Sequence, residues 1–349
     1  MYRNSNIELI KRLATSEEIR HDEWMRLLTS LTGEEREYLR ASAADAAVEN
    51  FGRGIYVRGL IEISSYCRNN CYYCGLRCSN ANAQRYRLTK EEVLECCEYG
   101  AGLGFSTFVL QGGEDPRQND AWIAEVTAEI RSRYPDKAIT LSVGERSSEA
   151  YSSFRRAGAD RYLLRHETRN DSHYSELHPA SMSAANRREC LAELKRLGFQ
   201  TGTGMMIGSP GQSATHLAED LMFIDSLKPQ MIGIGPFIPA KDTPFCNHPA
   251  GSVETTLLLI SLLRLRHPKA LIPATTALAT LSEQGRLKGI LAGANVVMPN
   301  LSPACVRAKY SIYDNKAGYG CESADGLAAL DAELSTIGYH IDFGRGDYK

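Results

Sequence analysis

The chain has 349 residues, is 43% apolar and 23% charged, and carries a formal net charge of -2. That describes an ordinary globular protein with no basic surplus to point to nucleic acid. The first fourteen residues are interrupted by Arg3, Asn4, Asn6, Glu8, Lys11 and Arg12 and so lack the apolar stretch of a secretory signal, and the longest apolar run, 257–263, is far short of the roughly 20 residues that span a bilayer. A cytoplasmic protein without a membrane span is expected, and in such a chain the ten cysteines read as metal ligands, reactive thiols or small core residues.

Residues 7–50 are charged and helical in pattern, with N-caps expected at Thr15 or Ser16 ahead of Glu17 and Glu18, and at Thr32 ahead of Glu34 and Glu35. After Gly52 and Gly54, short apolar runs alternate with longer amphipathic ones. The pattern predicts eight strands, at 55–64, 107–111, 139–143, 161–166, 203–207, 231–237, 271–275 and 295–298. Helices are expected between them, among others at 90–102, 121–133, 184–197, 214–227 and 253–266. Such alternation predicts an α/β fold, a parallel (β/α)8 barrel of TIM type, with a doubly wound open sheet as the alternative. Polar loops at 77–84 and 241–251 are too short to be linkers. The chain is therefore read as an N-terminal helical cap over 1–50, one barrel over 51–300 and a C-terminal extension over 301–349.

Directly after the first strand stands Ser65-Tyr66-Cys67-Arg68-Asn69-Asn70-Cys71-Tyr72-Tyr73-Cys74-Gly75-Leu76-Arg77, a C-x-x-x-C-x-x-C spacing at a strand's C-terminal end, where barrels of this kind place their active sites. Three thiolates so close together can ligate three irons of a [4Fe-4S] cluster and leave the fourth open to a chelating ligand. The other reading is zinc, which needs a fourth ligand, and Cys78 is the one at hand. The remaining strand ends are polar. The second reads Leu110-Gln111-Gly112-Gly113-Glu114-Asp115-Pro116, which by itself is also a plain glycine turn. The fourth reads Leu164-Arg165-His166-Glu167-Thr168, where alternation puts Arg165 and Glu167 on one face and leaves His166 on the other in a structural role. Arg165 and Glu167 alone would also suit a mutual ion pair. Cys96, Cys97 and Cys190 fall within predicted helices and read as small buried residues.

The cysteine spacing, with the aromatic Tyr73 just before the third cysteine, resembles the signature of the radical S-adenosylmethionine superfamily. The resemblance implies a [4Fe-4S] cluster on Cys67, Cys71 and Cys74, with S-adenosyl-L-methionine chelating the open iron and cleaved by an electron from the cluster to a 5′-deoxyadenosyl radical. Gly112, Gly113 and Glu114 resemble the superfamily's glycine-rich turn for the methionine amino group. Tyr73 belongs to the same cofactor side.

Six pieces in order resemble the [FeFe]-hydrogenase maturase family HydE, in the biotin-synthase-like branch, from about Gly52 to Tyr313. They are residues 73–77, 113–116, 161–168, 233–239, 272–276 and 293–300. By that resemblance Ser142, Glu167 and Arg187 contact S-adenosylmethionine, while Gln111, Thr140, Arg165, Thr275, Thr276, Met298 and Tyr313 line the substrate cavity. The implied role is assembly of the hydrogenase dinuclear iron subcluster from a small organometallic or amino-acid-derived substrate, a cysteine-bound iron carbonyl cyanide. Other hydrogenase maturases and an electron donor such as ferredoxin or flavodoxin are the implied partners. Some family members carry a second cluster on a C-x7-C-x-x-C run. Here Cys305 and Cys321 lack a close third cysteine, and no second cluster is expected. The alternatives are a mutase like methylornithine synthase, which shares the cysteine loop and the Glu-Asp-Pro turn, and a non-catalytic iron-sulfur carrier or scaffold.

Overall fold

The structure is a computed structural model that describes residues 6–15, 17–316 and 320–349. Its strands, in chain order, are β1 (Gly54–Val57), β2 (Gly59–Ser64), β3 (Thr107–Gly112), β4 (Ala138–Ser142), β5 (Arg161–Leu163), β6 (Gln200–Thr203), β7 (Met206–Ile207), β8 (Met231–Ile232), β9 (Gly235–Pro236), β10 (Val296–Val297) and β11 (His340–Asp342). One parallel sheet runs β2-β3-β4-β5-β6-β8. Beyond β8 the circuit continues through parallel bridges from Met231 to Leu271 and from Pro273 to Val296, and β10 then pairs with β1 while Leu60 bridges Asn300. With β1 and β2 taken as one stretch that is irregular at Arg58, parallel segments follow one another around a (β/α)8 barrel of TIM type.

The expected strands are present, the second and third at nearly their expected bounds and the later ones shortened or broken for local reasons. The seventh survives only as bridges at Leu271 and Pro273, because proline has no N–H for the ladder. The fourth stops at Leu163 instead of reaching His166, and Glu167 has left the extended region altogether at φ +64°. The fifth begins at Gln200 and breaks at Gly204, where a side chain would collide with the carbonyl of Gly233. Beyond the breaks in the fifth and sixth stretches, β7 and β9 pair as short continuations.

Register defines the two faces. Leu60, Val109, Thr140 and Arg161 are paired in a row across β2 to β5, as are Glu62, Gln111 and Ser142 one layer further up. The alternate residues Ile61, Ile63, Leu110, Leu141 and Tyr162 belong to the main apolar core with helix residues such as Val93, Val126, Tyr151 and Phe154, so the first set lines the lumen.

Helices Lys90–Gly102, Asp120–Arg133, Ala184–Arg196, Ala214–Leu227 and Val253–Arg266 lie within a residue of expectation. Val253–Arg266 is buried on every side over 256–265, because helix Gly33–Phe51 packs over it, and a helix with leucines and isoleucine on every face needs such an outer layer. Thr32 caps Gly33–Phe51 in a capping box. The earlier cap is not where it was expected. No helix starts at Thr15, Ser16 lies outside the described residues, and the helix begins at His21, with Glu23 reaching back to the backbone of Arg20.

The last residues were expected only as an extension, yet β11 pairs in parallel with β1. Thr107 and Arg161, the first residues of β3 and β5, donate to the Arg345 carbonyl at 3.0 and 2.7 Å. Arg161 and Gln200 also hold Asp347 at 2.6 and 3.1 Å. The tail therefore seals the N-terminal floor of the barrel, the face whose contacts serve stability.

The two weakest segments, at 271–273 and β10, are braced by Arg264. Its buried guanidinium donates to the carbonyls of Gly293 (2.7 Å), Pro268 and Ala270 (both 2.8 Å) and to Asn295 Oδ1 (2.9 Å). Arg264→Met strands these acceptors and is expected to cost about 3 kcal/mol in denaturant unfolding. A loss well under 1 kcal/mol would show that the barrel closes there without it.

Candidate active site

The loop between β2 and helix Lys90–Gly102 has no regular structure except a bridge from Ser64 to Arg87, so its backbone must be held by side chains. Arg85 does most of this. Its guanidinium donates to the carbonyls of Ser65, Leu76 (2.9 Å), Arg77 (2.8 Å) and Asn80 (3.3 Å). Asn70 Oδ1 accepts from Arg77 Nε at 2.8 Å and from the Ser79 hydroxyl at 2.6 Å. The neighbouring turn is pinned to this loop. Asp115 takes both Arg87 nitrogens (2.6 and 2.9 Å) and the Ser64 hydroxyl (2.5 Å), and the Arg68 N–H donates to the Glu114 carbonyl at 2.9 Å. At Gly113 a Cβ would stand 2.6 Å from Cys67 Cβ and from the Tyr66 carbonyl, so only glycine lets the turn approach the first cysteine.

Cys67, Cys71 and Cys74 are half-buried on this loop. Burial pushes the Cys74 thiol up to about 12, with Cys67 adding to the effect, and burial likewise raises Cys71 and Cys67. Three thiols that resist ionisation yet act on one another need a cationic centre to become ligands. Among the described residues no three His, Cys, Asp or Glu side chains gather around a single point as one metal ion requires. A polynuclear cluster makes no such demand, because each thiolate meets its own iron. Cys78 is exposed, Cys96, Cys97 and Cys190 are buried as small core residues, and Cys246 and Cys305 are exposed.

Tyr73 is oriented by His178. The imidazole Nδ1 faces the Tyr174 carbonyl at 2.9 Å and carries the proton, so Nε2 accepts from the Tyr73 hydroxyl at 3.1 Å. Burial pushes His178 down to about 3 and keeps it neutral.

The other expected residues divide into two groups. In the first, the polar groups already have protein partners. Both Glu114 carboxylate oxygens are taken, by Arg68 (2.9 Å) and by the Glu145 N–H (2.8 Å), so this side chain ties loops together. Arg187 is buried against Glu145 and donates to the Arg165 carbonyl at 2.7 Å. Thr276 donates to Glu322 at 2.6 Å, the Tyr313 hydroxyl bonds Thr280, and Gln111 reaches the Tyr310 hydroxyl at 3.4 Å.

In the second group, buried polar atoms are left over. Thr140 Oγ1, Arg165 Nε and Nη2, Glu167 Oε2 and Thr275 Oγ1 have no hydrogen-bond partner. Arg165 Nη2 and Glu167 Oε2 do stand 3.1 Å apart, a close ionic contact outside hydrogen-bonding directions. These two were expected side by side on a regular strand. Instead the chain turns through Glu167 in the left-handed region, a strained conformation of the kind found at ligand sites. Ser142 ends β4 beside Gln111, Gly112 ends β3, and Met298 packs on the lumen cluster of Met231, Leu271 and Val296. His166 is structural: its Nδ1 pairs with the Thr203 hydroxyl at 2.9 Å, and its Nε2 stands 3.3 Å from Asp220 without a hydrogen bond.

Four residues were not foreseen: Glu62 and Lys316 in the lumen, Arg85 on the cysteine loop and His178 beside Tyr73. Glu62 is fully buried on β2, where its carboxylate accepts from Asn300 Nδ2 at 2.8 Å and from Lys316 Nζ. Its signal in the sequence is the single charge within Leu60-Ile61-Glu62-Ile63. Arg85 and His178 have no comparable signal, since each acts through contacts made only after folding.

Residues 61–224 match the family model of the Radical SAM superfamily. Together with the relatives below, this places the chain in that superfamily, as a radical S-adenosylmethionine enzyme that uses a [4Fe-4S] cluster and S-adenosylmethionine. Within it the chain is a homologue of the [FeFe] hydrogenase maturase subunit HydE of Thermotoga maritima, 44% identical over 265 residues that cover 76% of this chain and 75% of that one. It is also 30% identical to 3-methylornithine synthase of Methanosarcina acetivorans, over 79% of this chain and 78% of the relative. The crystal structure of methylornithine synthase (PylB) matches with a TM-score of 0.83 at 25% identity, covering 96% and 97% of the two chains.

Gly113→Ala tests the loop geometry. It is expected to leave the far-ultraviolet circular dichroism unchanged and to lower the iron bound per reconstituted chain severalfold. A full complement of iron would mean that the turn can move away from Cys67 without consequence.

Proposed function

We propose that Cys67, Cys71 and Cys74 hold the cluster, and that Ser142, Glu167, Arg187, Tyr73 and the backbone of residues 112–114 frame S-adenosylmethionine. In this reading the enzyme assembles the dinuclear iron subcluster of [FeFe]-hydrogenase from a small cysteine-bound iron carbonyl cyanide. The observation that carries it is the set of buried polar atoms without partners at Thr140, Arg165, Glu167 and Thr275. Buried donors and acceptors are costly unless something satisfies them, and those of Arg165, Glu167 and Thr275 lie at the C-terminal ends of the barrel segments, where a substrate of this fold sits, with Thr140 in the lumen below. The 44% identity to a hydrogenase maturase supports the same role.

When bound, the cluster and S-adenosylmethionine supply the one-electron cleavage and the adenosyl radical. The chain's residues bind, orient and shield. Arg165 offers a planar fork to a carboxylate, and Glu167, held by strained backbone, keeps its Oε2 3.1 Å from that fork with no hydrogen bond made. Tyr73, locked by neutral His178, packs beside the cysteines without competing for their charge. An electron donor such as ferredoxin or flavodoxin and the other hydrogenase maturases are the partners in this role, and the cytoplasm is its place. No helix among the described residues is long and apolar enough to cross a membrane.

A second reading, a mutase acting on a free amino acid, is favoured by the near-complete match to methylornithine synthase. Arg165 would clamp a carboxylate there too. Assays for 3-methylornithine formation against hydrogenase maturation separate the two.

Anaerobic reconstitution should give about four irons per chain, and reduction with S-adenosylmethionine should release 5′-deoxyadenosine. Cys71→Ala is expected to abolish both, and near-wild-type cleavage by that variant would overturn the ligand assignment. Arg165→Lys replaces the fork with a point charge. It should keep the cluster and reductive cleavage while hydrogenase maturation is lost. Normal maturation, or joint loss of cleavage, would show that Arg165 does not clamp the substrate.

A further inference from the structure

Residues 308–316 run across the mouth of the barrel and are fastened at three places. On the cysteine loop, the Gly75 N–H donates to the Ile312 carbonyl at 2.9 Å, and a side chain at Gly75 would strike the Ser311 carbonyl. Over the loop that follows β9, the Asp314 N–H donates to the Pro239 carbonyl at 3.2 Å, and Asp314 accepts from the Lys241 N–H at 3.0 Å. In the lumen, Lys316 pairs with Glu62, donates to the Tyr310 carbonyl at 3.3 Å and stands 4.9 Å above the Tyr310 ring.

The first two fastenings are hydrogen bonds involving backbone groups, but the third is a desolvated ion pair. Glu62 is fully buried, and only 13% of the Lys316 side chain is exposed. Replacing such a pair with apolar residues is often neutral or stabilising, so fold stability does not account for it. Its position does. Glu62 is in register with Gln111, which reaches the Tyr310 hydroxyl, and Gln111 is in register with Ser142. Both strap tyrosines, Tyr310 and Tyr313, are largely buried, and burial, with the Glu62 carboxylate adding to it, pushes their hydroxyls above the usual phenol range.

We propose that Glu62 and Lys316 are positioning residues: their ion pair pins the strap so that Tyr310 and Tyr313 close over the substrate, between the cysteine loop and Arg165. The assignment rests on the maturase reading only for its substrate. Closure holds the substrate against the radical and keeps water out, and a misplacement of about 1 Å is enough to lower productive turnover a hundredfold.

The test uses reconstituted holoenzyme with S-adenosylmethionine and reductant, and measures hydrogenase matured per 5′-deoxyadenosine formed. Amide hydrogen exchange of 308–316 is followed alongside. Lys316→Met and Glu62→Gln are each expected to lower that ratio at least about tenfold and to speed exchange in the strap, whereas Lys316→Arg retains most of the coupling. The single changes leave one buried charge unpaired. The double variant Glu62→Gln, Lys316→Met removes both charges and is expected to melt close to wild type while staying uncoupled, which a purely structural pair would not do.

Wild-type coupling and exchange in the double variant, or failure of Lys316→Arg as complete as that of Lys316→Met, would overturn the proposal. If wild-type enzyme matures no hydrogenase, the maturase reading fails by itself. Strap exchange then decides the role of the pair: opening in Lys316→Met but not in Lys316→Arg supports it, and no opening overturns it.

Discussion

The site depends on holding a loop without regular structure as if it were a rigid element. Arg85 does this with one planar group that donates to four backbone carbonyls from three parts of the loop. A guanidinium suits the task because its donors are fixed relative to one another, so the carbonyls it engages become fixed as well. Gly113 and Gly75 then let neighbouring chain segments press against the loop where any side chain would push them away. The thiols owe their placement to this frame more than to their own spacing.

Around the frame, the barrel assigns different work to its two ends. At the floor, the polar groups of Thr107, Arg161 and Gln200 are satisfied by the C-terminal tail. At the mouth, Arg165, Glu167 and Thr275 retain atoms with no hydrogen-bond partner, as do Thr140 midway down the lumen and Arg58 Nε near the floor. Satisfied groups stabilise; unsatisfied ones are poised for something that the chain does not itself provide. The left-handed backbone at Glu167 belongs with the second set, since such strain persists only where the surroundings impose it.

Homology and geometry meet at Arg165. In the proposed function Arg165 anchors a carboxylate, and a fork-shaped cation at that place suits the maturase and the mutase readings alike. At the same mouth lies the strap of residues 308–316, joined to the lumen by the Glu62–Lys316 pair.

Several features were legible in the sequence because they depend on near neighbours. The cysteine spacing, the alternation of strands and helices, the Thr32 cap and the burial of Cys96 and Cys97 all follow from local chemistry or from period. Arg165 and Glu167 were also found, although the geometry inferred for them, two residues on a regular strand, was wrong; a positive φ at a non-glycine residue leaves no mark in composition. Proline at 273 and the close approach at Gly204 shortened strands that the apolar pattern had drawn too long. Only the tertiary structure could show that Arg85 organises the loop, that His178 fixes Tyr73 and that Lys316 reaches Glu62 from 254 positions away. It alone could show that the last residues close the floor. Each of these is a pairing of polar groups distant along the chain, and periodicity along a sequence records which face a residue takes but not which partner it meets there.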